Sequence, residues 1–187
     1  MPALVLETYD TPDGGYGDAE YQEIAIGVRG KVARKTEATG RVGYQHREFD
    51  DDGIEDIDDW IMGAGLSTRF SSRFTGGIEA SRRIYPWTTV PGNSAVATEI
   101  TPYVRRQLYG NRVSISGSFT YQQTEYYDPS GEQDRDDEFY EATAMVDWKP
   151  RDNFTVGGGY SYSRNESSTV DYDTERNRII ARAMYNY

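Results

Sequence analysis

The sequence contains no cysteine, which excludes disulfides, thiol catalysis and cysteine-held metals. It contains a single histidine, His46, which removes most metal sites and the common catalytic triads. No stretch approaches the ~20 apolar residues of a membrane-spanning helix. Positive charge is in deficit: 20 Lys and Arg against 31 Asp and Glu leave a formal net charge of −11, so nucleic acid is not an expected partner. The opening residues, Met1 to Glu7, show neither the basic start nor the long apolar run of a signal peptide. An exported chain needs such a leader, so the expectation is a piece of a longer reading frame, truncated at its N-terminus.

Only 36% of the 187 residues are apolar, and the mean hydropathy is −0.79. Those values alone would suit a polar soluble or partly disordered chain. The 16 Tyr, 6 Phe and 3 Trp argue otherwise, because a chain that buries nothing does not carry so many rings. A β-barrel in a membrane reconciles the two facts: its lipid face takes only every second residue, so no long apolar run is needed.

Period-two alternation runs through the chain. Val113, Ile115, Gly117, Phe119 and Tyr121 stand between Ser114, Ser116, Ser118, Thr120 and Gln122. Phe154, Val156, Gly158, Tyr160 and Tyr162 repeat the pattern, as do Ile24, Ile26 and Val28, Trp60 to Leu66, and Tyr140 to Trp148. Weaker segments lie near 38–48, 74–84, 95–107 and 176–187, with a short one at 3–8, for about ten strands. Pro102 should mark an edge, a bulge or a misplaced boundary. Short turns near 33–36, 71–73, 109–111 and 150–153 alternate with long polar stretches near 9–20, 50–58, 85–94, 127–137 and 165–173. Short turns at one end and long loops at the other are the grammar of outer-membrane barrels. The expected fold is therefore all-β: one domain over 1–187, an antiparallel up-and-down transmembrane β-barrel of about ten strands, or the C-terminal part of a larger one.

Lipid offers no hydrogen bonds, so the polar alternates should turn inward. The inward charged set is Arg29, Arg41, Arg47, Arg69, Arg83, Arg105, Arg178 and Arg182 with the acids Glu23, Glu79, Glu99, Glu141 and Asp147. Opposite charges at this density are expected to pair as a structural network; a basic lumen drawing anionic sugars is the functional alternative. Aromatics at strand ends, such as Trp60, Phe70, Trp148 and Phe154, suit interfacial girdles. The closing strand alternates Ile179, Ala181, Ala183, Tyr185 and Tyr187 against Arg178, Arg182 and Asn186. A terminal aromatic after such alternation resembles the signal read by the barrel-assembly machinery, and assigns that role to Tyr185 and Tyr187.

Other motifs carry less. The acidic run 50–59 lacks the ligand spacing of a calcium loop and reads as a solvated loop, as does the stretch holding Asp134, Asp136, Asp137 and Glu138. His46 falls on the lipid side near the outer rim, with no evident partner. No catalytic group, metal or cofactor is expected.

Gly40-Arg-Val-Gly-Tyr-Gln-His-Arg-Glu-Phe-Asp-Asp51, Arg73-Phe-Thr75, Trp148-Lys-Pro-Arg-Asp-Asn-Phe-Thr-Val-Gly-Gly-Gly-Tyr-Ser-Tyr162 and Arg176-Asn-Arg-Ile-Ile-Ala-Arg182 resemble the β-barrel porins encoded alongside exopolysaccharide and capsule genes. The likeness runs from about 21 to 187 and suits the C-terminal portion of those longer proteins. It implies a non-enzymatic bacterial outer-membrane protein linked to polysaccharide export or biosynthesis. Expected partners are outer-membrane lipid and lipopolysaccharide, the assembly machinery and an anionic polysaccharide. The alternatives are a structural or adhesive barrel plugged by its own charges and, ranked last, an outer-membrane lipid-modifying enzyme.

Overall fold

The computed structural model describes residues 2–10, 19–49, 57–86, 94–127, 133–169 and 172–185. Ten strands follow one another: β1 (Pro2–Asp10), β2 (Ala19–Ala33), β3 (Thr36–Phe49), β4 (Ile57–Ser71), β5 (Phe74–Pro86), β6 (Ser94–Leu108), β7 (Val113–Tyr127), β8 (Gln133–Arg151), β9 (Phe154–Ser167) and β10 (Thr174–Tyr185). Each pairs antiparallel with its sequence neighbours, giving a single sheet in the order β1 to β10. No pairing joins β1 to β10 among the described residues.

The short connections build one rim. Two-residue turns at 34–35, 72–73 and 152–153 and a four-residue turn at 109–112 close the hairpins. The 109–112 turn passes through the left-handed region at Tyr109, Gly110 and Asn111, a conformation that glycine and asparagine tolerate best. Neighbouring turns are tied together. Arg69 N donates to Lys35 O at 2.8 Å, Gln107 N to Arg73 O at 2.8 Å, and Lys149 N to Arg112 O at 2.7 Å.

The alternation sorts side chains as the apolar pattern demands. Ile26, Val42, Trp60, Leu66, Val104, Ile115, Phe119, Val146 and Trp148 lie exposed on one face, and Ile179 is 88% exposed. The opposite face is polar yet holds the covered residues, including Gln45, Ser114, Thr124, Arg135, Asp137, Asp147, Ser161 and Ser163. A single sheet with no second layer can shelter one face only by curling around it. The polar face is therefore the inside of the curl, and the apolar face is presented outward, the reverse of a water-soluble sheet.

The long-loop end departs from expectation. The 127–137 stretch is not a loop throughout, since β8 begins at Gln133 and Asp136 and Asp137 pair with Glu125 and Thr124 of β7. Likewise Ile57–Asp59 belong to β4, facing Arg47, His46 and Gln45. The physical reason is length. A membrane crossing takes roughly 9–11 residues, whereas β4 has 15 and β8 has 19. The excess projects beyond the lipid, where a strand needs no apolar alternation and so reads as loop.

Away from the register shifts beside the turns and strand ends, the wall is interrupted at Pro102 and between β4 and β5. Pro102 lies mid-strand, paired with Ile78 of β5, but the β6–β7 ladder skips Thr101 and Pro102 between Ile100↔Tyr121 and Tyr103↔Ser118. Proline has no N–H to give that side, and a hydroxyl pair, Thr101 to Thr120 at 2.9 Å, spans the gap instead. Toward the long-loop end, β4–β5 pairing stops at Met62↔Arg82. There Ile61, Ile84 and Val96 form a buried cluster with Tyr127 against it, and Arg82 reaches Asp59 at 2.7 Å. Apolar packing and one ion pair thus replace the missing rungs.

Candidate functional site

Among the described residues the polar face gathers most of the charged side chains of the strands, and register fixes which of them are neighbours. Pairs such as Gly65↔Glu79, Thr120↔Glu141, Ser114↔Asp147, Thr75↔Arg105 and Arg178↔Ser161 put charged residues opposite small or hydroxyl partners. By the same register the charged positions expected to face inward fall on this side, the Arg47 side chain lying outside the described residues. Their pairing is sparser than expected. Of the five acids assigned to the network, two meet an arginine among the described residues: Glu23 meets Arg41, and Asp147 meets Arg182, whose Nε donates to Oδ1 at 2.8 Å and Nη2 to Oδ2 at 2.6 Å. Glu99 accepts instead from Thr101 at 3.1 Å and Glu141 from Thr143 at 3.3 Å. Glu79, Arg69, Arg83 and Arg178 make no ion pair among the described residues. Arg41 pairs with Glu23 and Arg29 with Glu37, acids on the neighbouring strands β2 and β3.

The Asp147–Arg182 bridge crosses a whole strand. Asp147 is on β8, Arg182 on β10, and both are in register with Gly157 of β9 between them. A Cβ at Gly157 would collide with Asp147 Oδ1 and crowd Arg182 Nε. Glycine is what lets the bridge lie flat over β9. Ser114 donates to Asp147 at 3.4 Å, and Arg105 reaches Ser114 at 3.4 Å. The group borders a cavity of about 620 Å³ that Thr75, Tyr103 and Ser116 also line. Tyr103 lies over Gly77 of β5, where a Cβ would strike its ring.

A second cluster, missed in the sequence, sits toward the long loops. Arg135 is 6% exposed, with its guanidinium 3.8 Å from the Tyr126 ring centre and 4.0 Å from that of Tyr172. Its Nε lies 3.0 Å from Asp137 Oδ1. Asp137 also accepts from Asn165 at 3.3 Å and Ser167 at 2.5 Å. A guanidinium stacked between rings and held by a carboxylate is strongly fixed. The sequence carries a signal for it, since Arg135 and Asp137 share parity with Glu141 and Asp147, but the polar composition of 127–137 reads as loop.

His46 does have a partner. Its Nδ1 is 2.7 Å from Asp58 Oδ1, an acid that the strand extension of β4 brings opposite it. Among the described residues no group of three His, Cys, Asp or Glu gathers as a metal site would require. Tyr185 is exposed on the apolar face and its hydroxyl accepts from Asn153 at 3.0 Å; Tyr187 lies outside the described residues.

The charge of the chain is polarised along the strands. Within four residues of the four short turns lie Lys31, Arg34, Lys35, Arg69, Arg73, Arg105, Arg106, Arg112, Lys149 and Arg151, against only Glu37 and Asp152. That end is strongly basic in a chain of net charge −11, so the remainder is more acidic than the total suggests. The pattern was legible in the sequence once charges were sorted by distance from the short turns rather than by face.

The profile of the family described as Putative beta-barrel porin 2 matches residues 9–186. Among solved structures, the fold is similar to the outer membrane channel DcaP of Acinetobacter baumannii, with TM-score 0.65 and 12% identity over 96% of this chain and 61% of that one. It is also similar to a loop-deletion mutant of OmpT, an outer membrane protein of Vibrio cholerae, with TM-score 0.53 and 13% identity over 90% and 54%. The chain thus spans less than two thirds of either protein, and at such identity the likeness speaks for the fold alone. No curated protein sequence matches.

Proposed function

The chain belongs to this β-barrel porin family, whose place is the bacterial outer membrane, and from that membership we propose that it is a non-enzymatic channel wall for anionic solutes, serving export of an exopolysaccharide or capsule chain. The observation that carries the reading is the basic short-turn end. In outer-membrane barrels short turns face the periplasm. A rim that is basic there and acidic at the long loops draws an anion from the periplasmic side and gives it no resting place outside. Arg69, Arg105, Arg178 and Arg182 on the polar face would extend the attraction inward, and lipopolysaccharide and the assembly machinery would meet the apolar face and Tyr185.

Planar-bilayer recording of the full chain under a KCl gradient tests this. The expected reversal potential is that of an anion-preferring pore, shifted toward zero by Arg105→Ser with Arg69→Ser. Cation preference would overturn the proposal.

A second reading has its own support. The stacked Arg135 and the covered Asp137 fill the polar face near the long loops, as a barrel closed by its own side chains would. Absence of conductance from a correctly folded chain would favour that structural barrel. An enzymatic role has only the His46–Asp58 pair behind it.

A further inference from the structure

A small cavity of about 190 Å³ opens between the first two short turns, lined by Lys31, Arg34, Lys35 and Arg69 together with Ser67 and Thr75. Its one acid, Glu37, is engaged by Arg29. Lys35 Nζ lies 3.5 Å from Phe70 O. Lys31, Arg34 and Arg69 have no acidic partner among the described residues. Four cations around one recess repel one another, and the arrangement is relieved only by an anion between them or by bulk salt.

Register decides from which side a ligand arrives. Lys31 pairs with Glu37, Glu37 with Ser67, and Arg69 with Thr75, so these residues share the polar face. Arg34 and Lys35 form the turn itself. The recess is therefore reached from inside the curl, at its mouth. A folded acidic protein would meet the outside of the rim, whereas a single carboxylate or phosphate on a narrow chain fits a volume of this size. Two guanidinium forks, two ammonium groups and the hydroxyl-bearing Ser67 and Thr75 are the donor set that such an oxyanion takes.

We propose that this recess is a capture site for one anionic group of a linear polyanion, a uronate carboxylate or a phosphodiester, at the periplasmic entrance of the channel. The site deepens the export reading by naming the substrate's charged unit and its first resting place, and it rests on that reading only for the direction of travel.

Titration calorimetry of the full chain in detergent micelles, with trigalacturonate as the carboxylate probe, inorganic pyrophosphate as the phosphate probe and maltotriose as the neutral control, measures binding without requiring conductance. At low salt the charged probes should bind and maltotriose should not. Lys31→Ser with Arg69→Ser should weaken binding by about tenfold or more, the loss of roughly one charge-assisted contact. Lys31→Arg with Arg69→Lys should retain binding, and Arg106→Ser, which removes a charge at the same end but on the apolar face, should leave it unchanged. Strand circular dichroism and heat-shifted gel mobility confirm that each variant folds. Equal binding by the folded double serine variant, or equal binding of maltotriose, overturns the capture site. A site that binds in a chain that never conducts leaves the capture site standing and removes the export reading.

Discussion

The two ends of the sheet solve opposite problems with the same polar face. Toward the long loops the face is filled: Ala25, Gln45, Thr124, Arg135 and Asp137 are all buried, and the β4–β5 split is sealed by Ile61, Ile84 and Val96. Toward the short turns it is open: Arg29 is exposed and paired with Glu37, while Lys31 and Arg69 are exposed with no acidic partner among the described residues. Buried charge demands a partner because desolvation is costly; exposed charge is screened and tolerates solitude. One end is thus held by packed and paired groups, and the other leaves its cations to the solvent.

The contrast can be broken most severely at Arg135. Arg135→Ala should leave Asp137 covered without its cation and lower stability by about 2–4 kcal/mol, read as a shift of the urea unfolding midpoint in lipid vesicles. An unshifted midpoint would mean that the filled end is not held by charge. Asp147→Ala comes next. The carboxylate is covered but Arg182 is 43% exposed, so solvent screening limits the cost to about 1–2 kcal/mol.

Gly157→Ala sharpens the same point. It should cost about 1 kcal/mol by forcing the bridge off β9, and combined with Asp147→Ala it should add little, since the two changes remove one interaction. Full additivity in the double-mutant cycle would show that glycine matters there for another reason. Arg29→Ala should do least. Its side chain is 73% exposed, and the unfolding midpoint should stay within the scatter of repeat measurements.

Much of this is legible in the sequence. Alternation in β7 and β9 fixed which residues share a face because lipid forces a strict period of two, and the two-residue turns at 34–35 and 72–73 announced themselves by position. The strand tops did not. Asp136 and Asp137 look like loop because, beyond the lipid, nothing requires an apolar residue at every second place. The expectation that Glu79, Glu99 and Glu141 would find arginines failed for a related reason: shared parity puts residues on one face but does not bring them within reach. Thr101 and Thr143, two residues along the same strands, are simply nearer. The Asp147–Arg182 contact needed knowledge of three strands at once, and the stacking of Tyr172 on Arg135 needed the fold of a connection the sequence left blank.

The bridge over Gly157 also bears on how the sheet could go wrong while forming. Hairpins slip most readily by two residues, since that keeps every side chain on its proper face. If β10 slid by two against β9, Ile180 or Met184 would stand beside Gly157 in place of Arg182, and Asp147 would be left covered and facing an aliphatic chain. Misalignments that look harmless to the apolar pattern would therefore each carry an electrostatic cost. A contact spanning β8, β9 and β10 is satisfied only when two separate alignments are both correct, so the pair works as an error check on the last strand to join.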